Sequence, residues 1–245
     1  MTDQSFTFPK FYVTAPSPCP YLPGKVERKV FTELAGGNPP ALHEALSQAG
    51  FRRSQSVAYR PACEGCSACV SVRVRVQDFR WTKAFRRNAR RNSGLTATVL
   101  PPWATSEQFE LLRRYLLARH PGGGMSDMSI VDYAEMVESS PVATELVEYR
   151  MSADDEDGSE DMLAAVSLLD ILEDGISMVY SFYDPALMDR GLGTFLILDQ
   201  IARAAMLAKP YVYLGYWVEN SAKMGYKSRF RPLERLTPTG WELLK

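Results

Sequence analysis

Apolar and polar positions recur along this chain with two periods, and the switches between them mark its elements. Val70, Val72, Val74 and Val76 alternate with Ser71, Arg73 and Arg75, the period of a half-buried strand. Residues 28–34 and 51–60 also read as strands. The segment ALHEALSQAG after Asn38-Pro39-Pro40 predicts a helix: Asn caps, proline suits the first turn and Gly50 stops it. Residues 82–92 read as a basic helix ending at Gly94. Thr105-Ser106-Glu107 opens a helix over 105–119, and a shorter one is expected over 130–138. Strands follow at 142–150, 162–172 and 175–183, then a helix over 190–208 and the strand Tyr211–Leu214. The prolines of 11–24, the run Pro121-Gly122-Gly123-Gly124 and the stretch 152–161 read as irregular connections. Antiparallel strands followed by a strand–turn–helix–strand unit predict an α+β fold with a mixed sheet. Pro101-Pro102 reads as a junction, giving a cysteine-bearing, basic N-terminal region over 1–100 and a second domain over 101–245.

Composition narrows this picture. Apolar residues make up 46% and charged residues 23%, as in soluble globular proteins. No stretch approaches eighteen apolar residues, so no membrane span and no membrane partner are expected. The start MTDQSFTFPK lacks a basic segment followed by an apolar run, so no signal peptide is expected and the cytoplasm is the expected location. The net charge of −1 hides an uneven distribution. Eight cations lie between Arg73 and Arg91, opposed only by Asp78, whereas Asp154 to Asp161 holds six acids. A bulk charge near zero argues against a coating of nonspecific nucleic-acid contacts, while the basic stripe leaves a local polyanion contact open.

Four constellations could carry chemistry. Arg190-Gly191-Leu192-Gly193-Thr194 lies between a strand and a long helix, where glycines allow close backbone approach and the first helical amides make an anion site. It partly matches the phosphate-binding turn of the N-acetyltransferase superfamily, with Phe195 where a small residue is expected; a simple helix cap would read the same. Cys63, Cys66 and Cys69, with Cys19 upstream, could hold zinc or an iron–sulfur cluster, or could be reduced thiols in a turn. Arg86, Arg87, Arg90 and Arg91 have no acidic partners at helical spacing, so they suit phosphates or carboxylates. Residues 211–227 mix four tyrosines and Trp217 with Lys223 and Lys227, a composition for stacking bases and contacting phosphate, or for a core strand before a surface segment. Only two histidines are present; His43 reads as structural, and a histidine-dependent nucleophile is not expected.

These blocks also occur together in one family. Cys19-Pro20-Tyr21-Leu22-Pro23-Gly24, Gly50-Phe51-Arg52-Arg53-Ser54, Tyr59-Arg60-Pro61, the cysteine triplet, Arg119-His120, Tyr180 to Pro185, Gly191 to Thr194, and Tyr211 through Lys227 resemble the aminoacyl-tRNA–protein transferases of the N-degron pathway. They most resemble the compact bacterial aspartate/glutamate leucyltransferases. The resemblance runs from about residue 11 to 235. It implies an N-acetyltransferase-like C-terminal half, used for aminoacyl transfer, whose cofactor groove holds the 3′ end of a charged tRNA without coenzyme A. It implies Leu-tRNA and proteins with N-terminal Asp or Glu as partners, the transfer marking those proteins for degradation. Eukaryotic arginyltransferases of the family carry a second cysteine near the position of Leu22, so zinc or iron–sulfur at these cysteines stays open.

The chemistry suits the residues. The donor ester is already activated, and an α-amine with pKa about 7.7–8.0 is partly neutral at cellular pH, so no cofactor is required for transfer. Orientation can supply roughly 7–11 kcal/mol. On this reading Tyr216, Tyr183 and Tyr180 are the candidates for the reacting centre, with Tyr216 favoured. Arg190, Gly191, Gly193, Thr194, Arg86, Arg87, Arg90, Arg91 and Trp217 are candidates for tRNA. Lys227, Lys223 and Arg80 are candidates for the acceptor carboxylate, ahead of Arg52 and Arg53. An arginyltransferase of the same fold, an acetyl-CoA-dependent N-acetyltransferase and a metal-dependent nucleic-acid module are the alternatives.

Overall fold

Long-range strand pairing organises the chain. The structure, a computed structural model, describes residues 9–120, 122–152, 161–219, 221 and 223–245. Its strands are β1 (Tyr12–Val13), β2 (Ser17–Pro18), β3 (Val26–Glu27), β4 (Lys29–Glu33), β5 (Arg52–Ser54), β6 (Val57–Pro61), β7 (Cys69–Arg75), β8 (Leu95–Leu100), β9 (Thr144–Met151), β10 (Met162–Ile171), β11 (Gly175–Tyr183), β12 (Tyr211–Val218), β13 (Leu233–Thr237) and β14 (Gly240–Leu243). Its α-helices are α1 (Pro39–Gln48), α2 (Lys83–Arg91), α3 (Ser106–Arg119), α4 (Ile130–Glu138) and α5 (Leu192–Met206).

The main sheet has the order β14-β13-β7-β12-β11-β10-β9-β8. Only β11 and β12 pair in parallel, joined by the crossover helix α5; the other neighbours are antiparallel. The α+β fold with a mixed sheet is therefore observed. The apolar run of β10 is buried on both faces, as a central strand requires. One face packs Val74, Ile176 and Val212 against Phe85 of α2 and Leu196 and Ile201 of α5. The other packs Leu146, Leu163 and Phe182 against Phe109 and Leu112 of α3 and Tyr133 of α4. A smaller sheet, β1-β4-β6-β5, carries the N-terminal region with α1.

Several boundaries differ from the sequence reading. Residues 51–60 are a hairpin, β5–β6, turning at Gln55 with φ +52°. The segment before Pro101-Pro102 is strand β8, paired along β9. The main sheet therefore takes strands from both sides of residue 100 and does not divide there. The helix over 190–208 begins at Leu192, after a 3-10 turn over Pro185–Arg190, because Gly191 at φ +67° breaks the two apart. Strand β12 runs on to Val218, and the β13–β14 hairpin, which carries no alternation signal, completes the sheet. The acidic stretch lies almost wholly outside the described residues, as does Pro121.

Candidate active site between two diverging strands

Strands β11 and β12 pair only over Gly175–Ser177 against Tyr211–Tyr213. Beyond that point they run on to Tyr183 and Val218 without pairing, which leaves a slot between them. Tyr180 and Tyr183 lie on the free part of β11. Burial pushes the Tyr180 phenol up to about 12. The Tyr183 ring packs edge-on against Tyr115 of α3 at 5.1 Å, and Tyr115 likewise meets His120 at 5.7 Å. Burial, then Lys223 and Arg119, hold the His120 imidazolium below its usual pKa.

A cleft of about 330 Å³ lies beside this end of the sheet, lined by Arg87, Asn88, Arg91, Thr194, Tyr226 and Arg229 among others. Thr82 caps α2 by accepting from Phe85 N at 3.2 Å. Phe85 stacks on Phe230 at 5.1 Å and on Phe79 at 5.7 Å, so burying this one aromatic fixes which helix face turns outward. Asn88 and Asn92, four residues apart, share a face. Their amides donate to the Arg190 carbonyl at 3.1 Å each, and Asn88 also donates to Gly191 O at 3.2 Å. These bonds hold the glycine turn against α2. A Cβ on Gly191 would fall 2.8 Å from Asn88 Nδ2. Gly193 needs no such exemption: its added Cβ would meet Tyr183 Cε1 at 3.5 Å, an ordinary contact. No side chain caps the start of α5, so its first amides are open to an anion.

The sequence candidates separate. Arg87, Arg91 and Thr194 reach the cleft, whereas Gly191 lies against Asn88 of its lining and Gly193 against Tyr183. Arg86 and Arg90 are exposed on α2 outside the cleft lining. Arg190 donates to the Arg91 carbonyl at 3.1 Å, tying the turn to α2 rather than facing into the cleft. Phe195 packs edge-on against Tyr149, so its bulk serves the core. Trp217 is also a core residue, 8% exposed, and cannot stack an incoming base. Tyr216 is buried, and its hydroxyl faces the carbonyls of Tyr59 at 2.9 Å and Gly50 at 3.2 Å. It bonds β12 to the N-terminal sheet and does not point into the slot. Lys227 is buried, donating to the Tyr216 carbonyl at 2.6 Å; burial, then the charge of Arg52, pushes its pKa down to about 7. Lys223 and Arg80 are exposed, Lys223 near His120 and Arg80 where its amide bonds Arg231 O. The three acceptor candidates are therefore not brought together.

Three participants, Asn88, Tyr115 and Arg229, lie beyond the sequence reading, and two that it named, Tyr226 and Arg52, take other places than it gave them. Asn88 and Tyr115 are hidden inside ordinary helical patterns, although the Asn88/Asn92 spacing is a signal. Tyr226 and Arg229 sit in a 3-10 turn, Gly225–Arg229, whose facing depends on the core below it. Arg52 takes a central place: its guanidinium lies in the slot itself, bonded to carbonyls of both strands.

The cysteines gather around Cys69 at the start of β7, in register with Val218 of β12. All four are half-buried free thiols. Burial, then Cys19, Cys63 and Cys66, pushes the Cys69 thiol up to about 11. Among the described residues no group of three or more Cys, His, Asp or Glu side chains is disposed to hold a metal ion. Among the described residues no helix is long and apolar enough to cross a membrane.

Known proteins are similar to this chain over nearly its whole length. The family described as arginine-tRNA-protein transferase, C terminus, matches residues 107–237, and its N-terminus counterpart matches residues 17–87. The aspartate/glutamate leucyltransferase of Azorhizobium caulinodans is 58% identical over 246 residues, covering 99% of this chain and 98% of its own. That of Parvibaculum lavamentivorans is 59% identical over 242 residues, covering 98% of each. Among solved structures, L-PGS from Bacillus licheniformis matches 65% of this chain and 48% of its own, with TM-score 0.44 and 14% identity, a slight likeness.

Proposed function

The chain belongs to the arginine-tRNA-protein transferase family, and on that premise we propose that it is an aspartate/glutamate leucyltransferase, taking leucine from Leu-tRNA onto N-terminal Asp or Glu. One observation carries the site assignment. The cleft joins three features in one place: the cationic face of α2, the uncapped start of α5, and Tyr226 in its lining, with Tyr183 beside it against Gly193. The first two suit the terminal nucleotide and its phosphates, which need cations and free amides. The third suits the ester. The slot beside a strand–turn–helix–strand unit is also the arrangement expected of an N-acetyltransferase-like half.

In the reaction, the acceptor α-amine attacks the ester carbonyl carbon. A C–N bond forms, the C–O bond to the ribose breaks, and the ribose oxygen leaves with the proton that the amine gives up. On this reading Tyr226, in the cleft lining, and Tyr183, against Gly193 beside it, polarise the carbonyl or relay that proton. Arg119 and Lys223, both exposed and both acting on His120, have no carboxylate partner among the described residues. They are the cations placed to take the acceptor's acidic side chain.

Incubating the protein with an Asp- or Glu-starting peptide and each charged tRNA tests the reading. Leucine should be transferred. Transfer of arginine alone would move the protein to the arginyl branch of the family, and acetylation from acetyl-CoA would refute the reading.

A further inference from the structure

Two β-bulges face each other across the slot, and one side chain lies between them. Along β11, Leu168 opposes Tyr180 and Leu169 opposes Met178, so Val179 is an extra residue. Along β12, Tyr213 opposes Arg73 and Gly215 opposes Val72, so Leu214 is an extra residue. A bulge turns aside a carbonyl that a regular ladder would use. Buried carbonyls without partners are costly. Here the carbonyls at both bulges are taken by Arg52, which arrives from β5 in the other sheet. Its Nη2 donates to Met178 O at 2.6 Å and Val179 O at 2.8 Å, and its Nη1 donates to Leu214 O at 3.3 Å. Gly215, at φ +75°, makes room: a Cβ there would fall 1.2 Å from Nη1. The guanidinium has no carboxylate partner among the described residues. Its bonding is to backbone, on both sides of a gap.

We propose that Arg52 is a positioning residue, a wedge that sets the separation of β11 and β12 and thereby places Tyr183 relative to the cleft. This rests on the reading of the site given above. Only a planar, forked donor can serve. A lysine offers a point charge and cannot hold three carbonyls on two strands in one plane. The wedge also links the small N-terminal sheet to the reacting centre, so that sheet acts on the chemistry from behind the slot.

The test compares the wild-type chain with Arg52→Lys, Arg52→Ala and Gly215→Ala, using leucyl-tRNA and an Asp-starting peptide. Each variant is measured for kcat, peptide KM, tRNA affinity and melting temperature. The wedge predicts a fall in kcat of about tenfold to a hundredfold for Arg52→Ala, the cost of small misplacements at a reacting centre. Melting should fall, because three carbonyls lose their donor, while tRNA affinity stays near wild type; kcat is therefore read well below each variant's melting transition. Arg52→Lys should remain impaired although the charge is kept. Guanidinium ion at non-denaturing concentration should restore part of the Arg52→Ala rate. Gly215→Ala should lower kcat with Arg52 still present. If Arg52→Ala fails to fold, Arg52→Lys and Gly215→Ala decide the matter. A wild-type chain that transfers no leucine overturns the functional reading, and the wedge with it. An active wild type with variants within roughly twofold in kcat, or variants whose losses merely track melting or tRNA affinity, overturns the wedge alone.

Discussion

Arg53 grips Asp170 with two parallel bonds, Nε to Oδ2 at 2.8 Å and Nη2 to Oδ1 at 2.7 Å, in a position closed to water. The same carboxylate meets His43 Nε2 at 3.1 Å and accepts from the Thr144 hydroxyl at 2.8 Å. Burial alone would raise the Asp170 pKa, but the bonds from His43 and Arg53 outweigh it and hold the carboxyl below its usual range. The adjacent residue, Arg52, points into the slot. One strand thus sends one arginine to anchor the small sheet and the next to the site.

Removing one partner of this network should leave a charge buried alone. Asp170→Ala should lower stability by about 3–5 kcal/mol. Denaturant unfolding measures it, and a loss below about 1 kcal/mol would show that the pair is no more than a surface-type contact.

The two glycines of the turn should behave differently. Gly191 needs its positive φ and the space beside Asn88, whereas Gly193 has room for a methyl group. Gly191→Ala should therefore weaken tRNA binding and transfer more than Gly193→Ala. Equal effects would mean that the turn's shape is not what the tRNA reads.

Arg87 and Arg91 line the cleft, but Arg86 and Arg90 do not. Replacing the first pair with glutamine should flatten the salt dependence of tRNA binding, by about 0.7–0.9 in the log–log slope for each phosphate that is no longer neutralised. Replacing the second pair should change the slope less. The reverse order would place the nucleic acid on the other side of α2.

Lys227 gives a pH signature. Below about pH 7 it is charged in both the folded and the unfolded chain, so the cost of burying a cation is fully felt. Between there and the ordinary lysine value of about 10.4, only the unfolded chain keeps the proton, so stability should rise with pH. Lys227→Met should remove that rise. Melting curves at several pH values, compared between the two proteins, would expose a slope that persists without the lysine.

Tyr183→Phe should lower kcat by about a hundredfold while leaving tRNA affinity in place. Tyr216→Phe should instead lower stability, since its hydroxyl bonds Tyr59 O and Gly50 O. Single-turnover transfer and thermal melting separate the two roles; a Tyr216→Phe variant that is stable but inactive would return that residue to the chemistry.

Much of this protein is legible without the fold, because the signals are local. The caps Asn38, Thr82 and Thr105 lie beside the helices they start, and each accepts the backbone bond its position predicts. The valine alternation of β7 reports a strand with one buried face, and the Arg190 to Thr194 turn opens a helix as its glycines suggest. The motif blocks, read together, identify the family. What the tertiary structure decided was where long side chains end. Arg52, Tyr216 and Lys227 sit in segments that look like charged or aromatic surface. Their destinations depend on two sheets meeting and two strands diverging: Arg52 and Tyr216 bond residues more than a hundred positions away, and Lys227 folds back through a 3-10 turn onto the Tyr216 carbonyl. Strand β8 carried no reading from the sequence for the same reason. A strand is completed by its neighbour, and the neighbours of β7 and β8 lie in the second half of the chain.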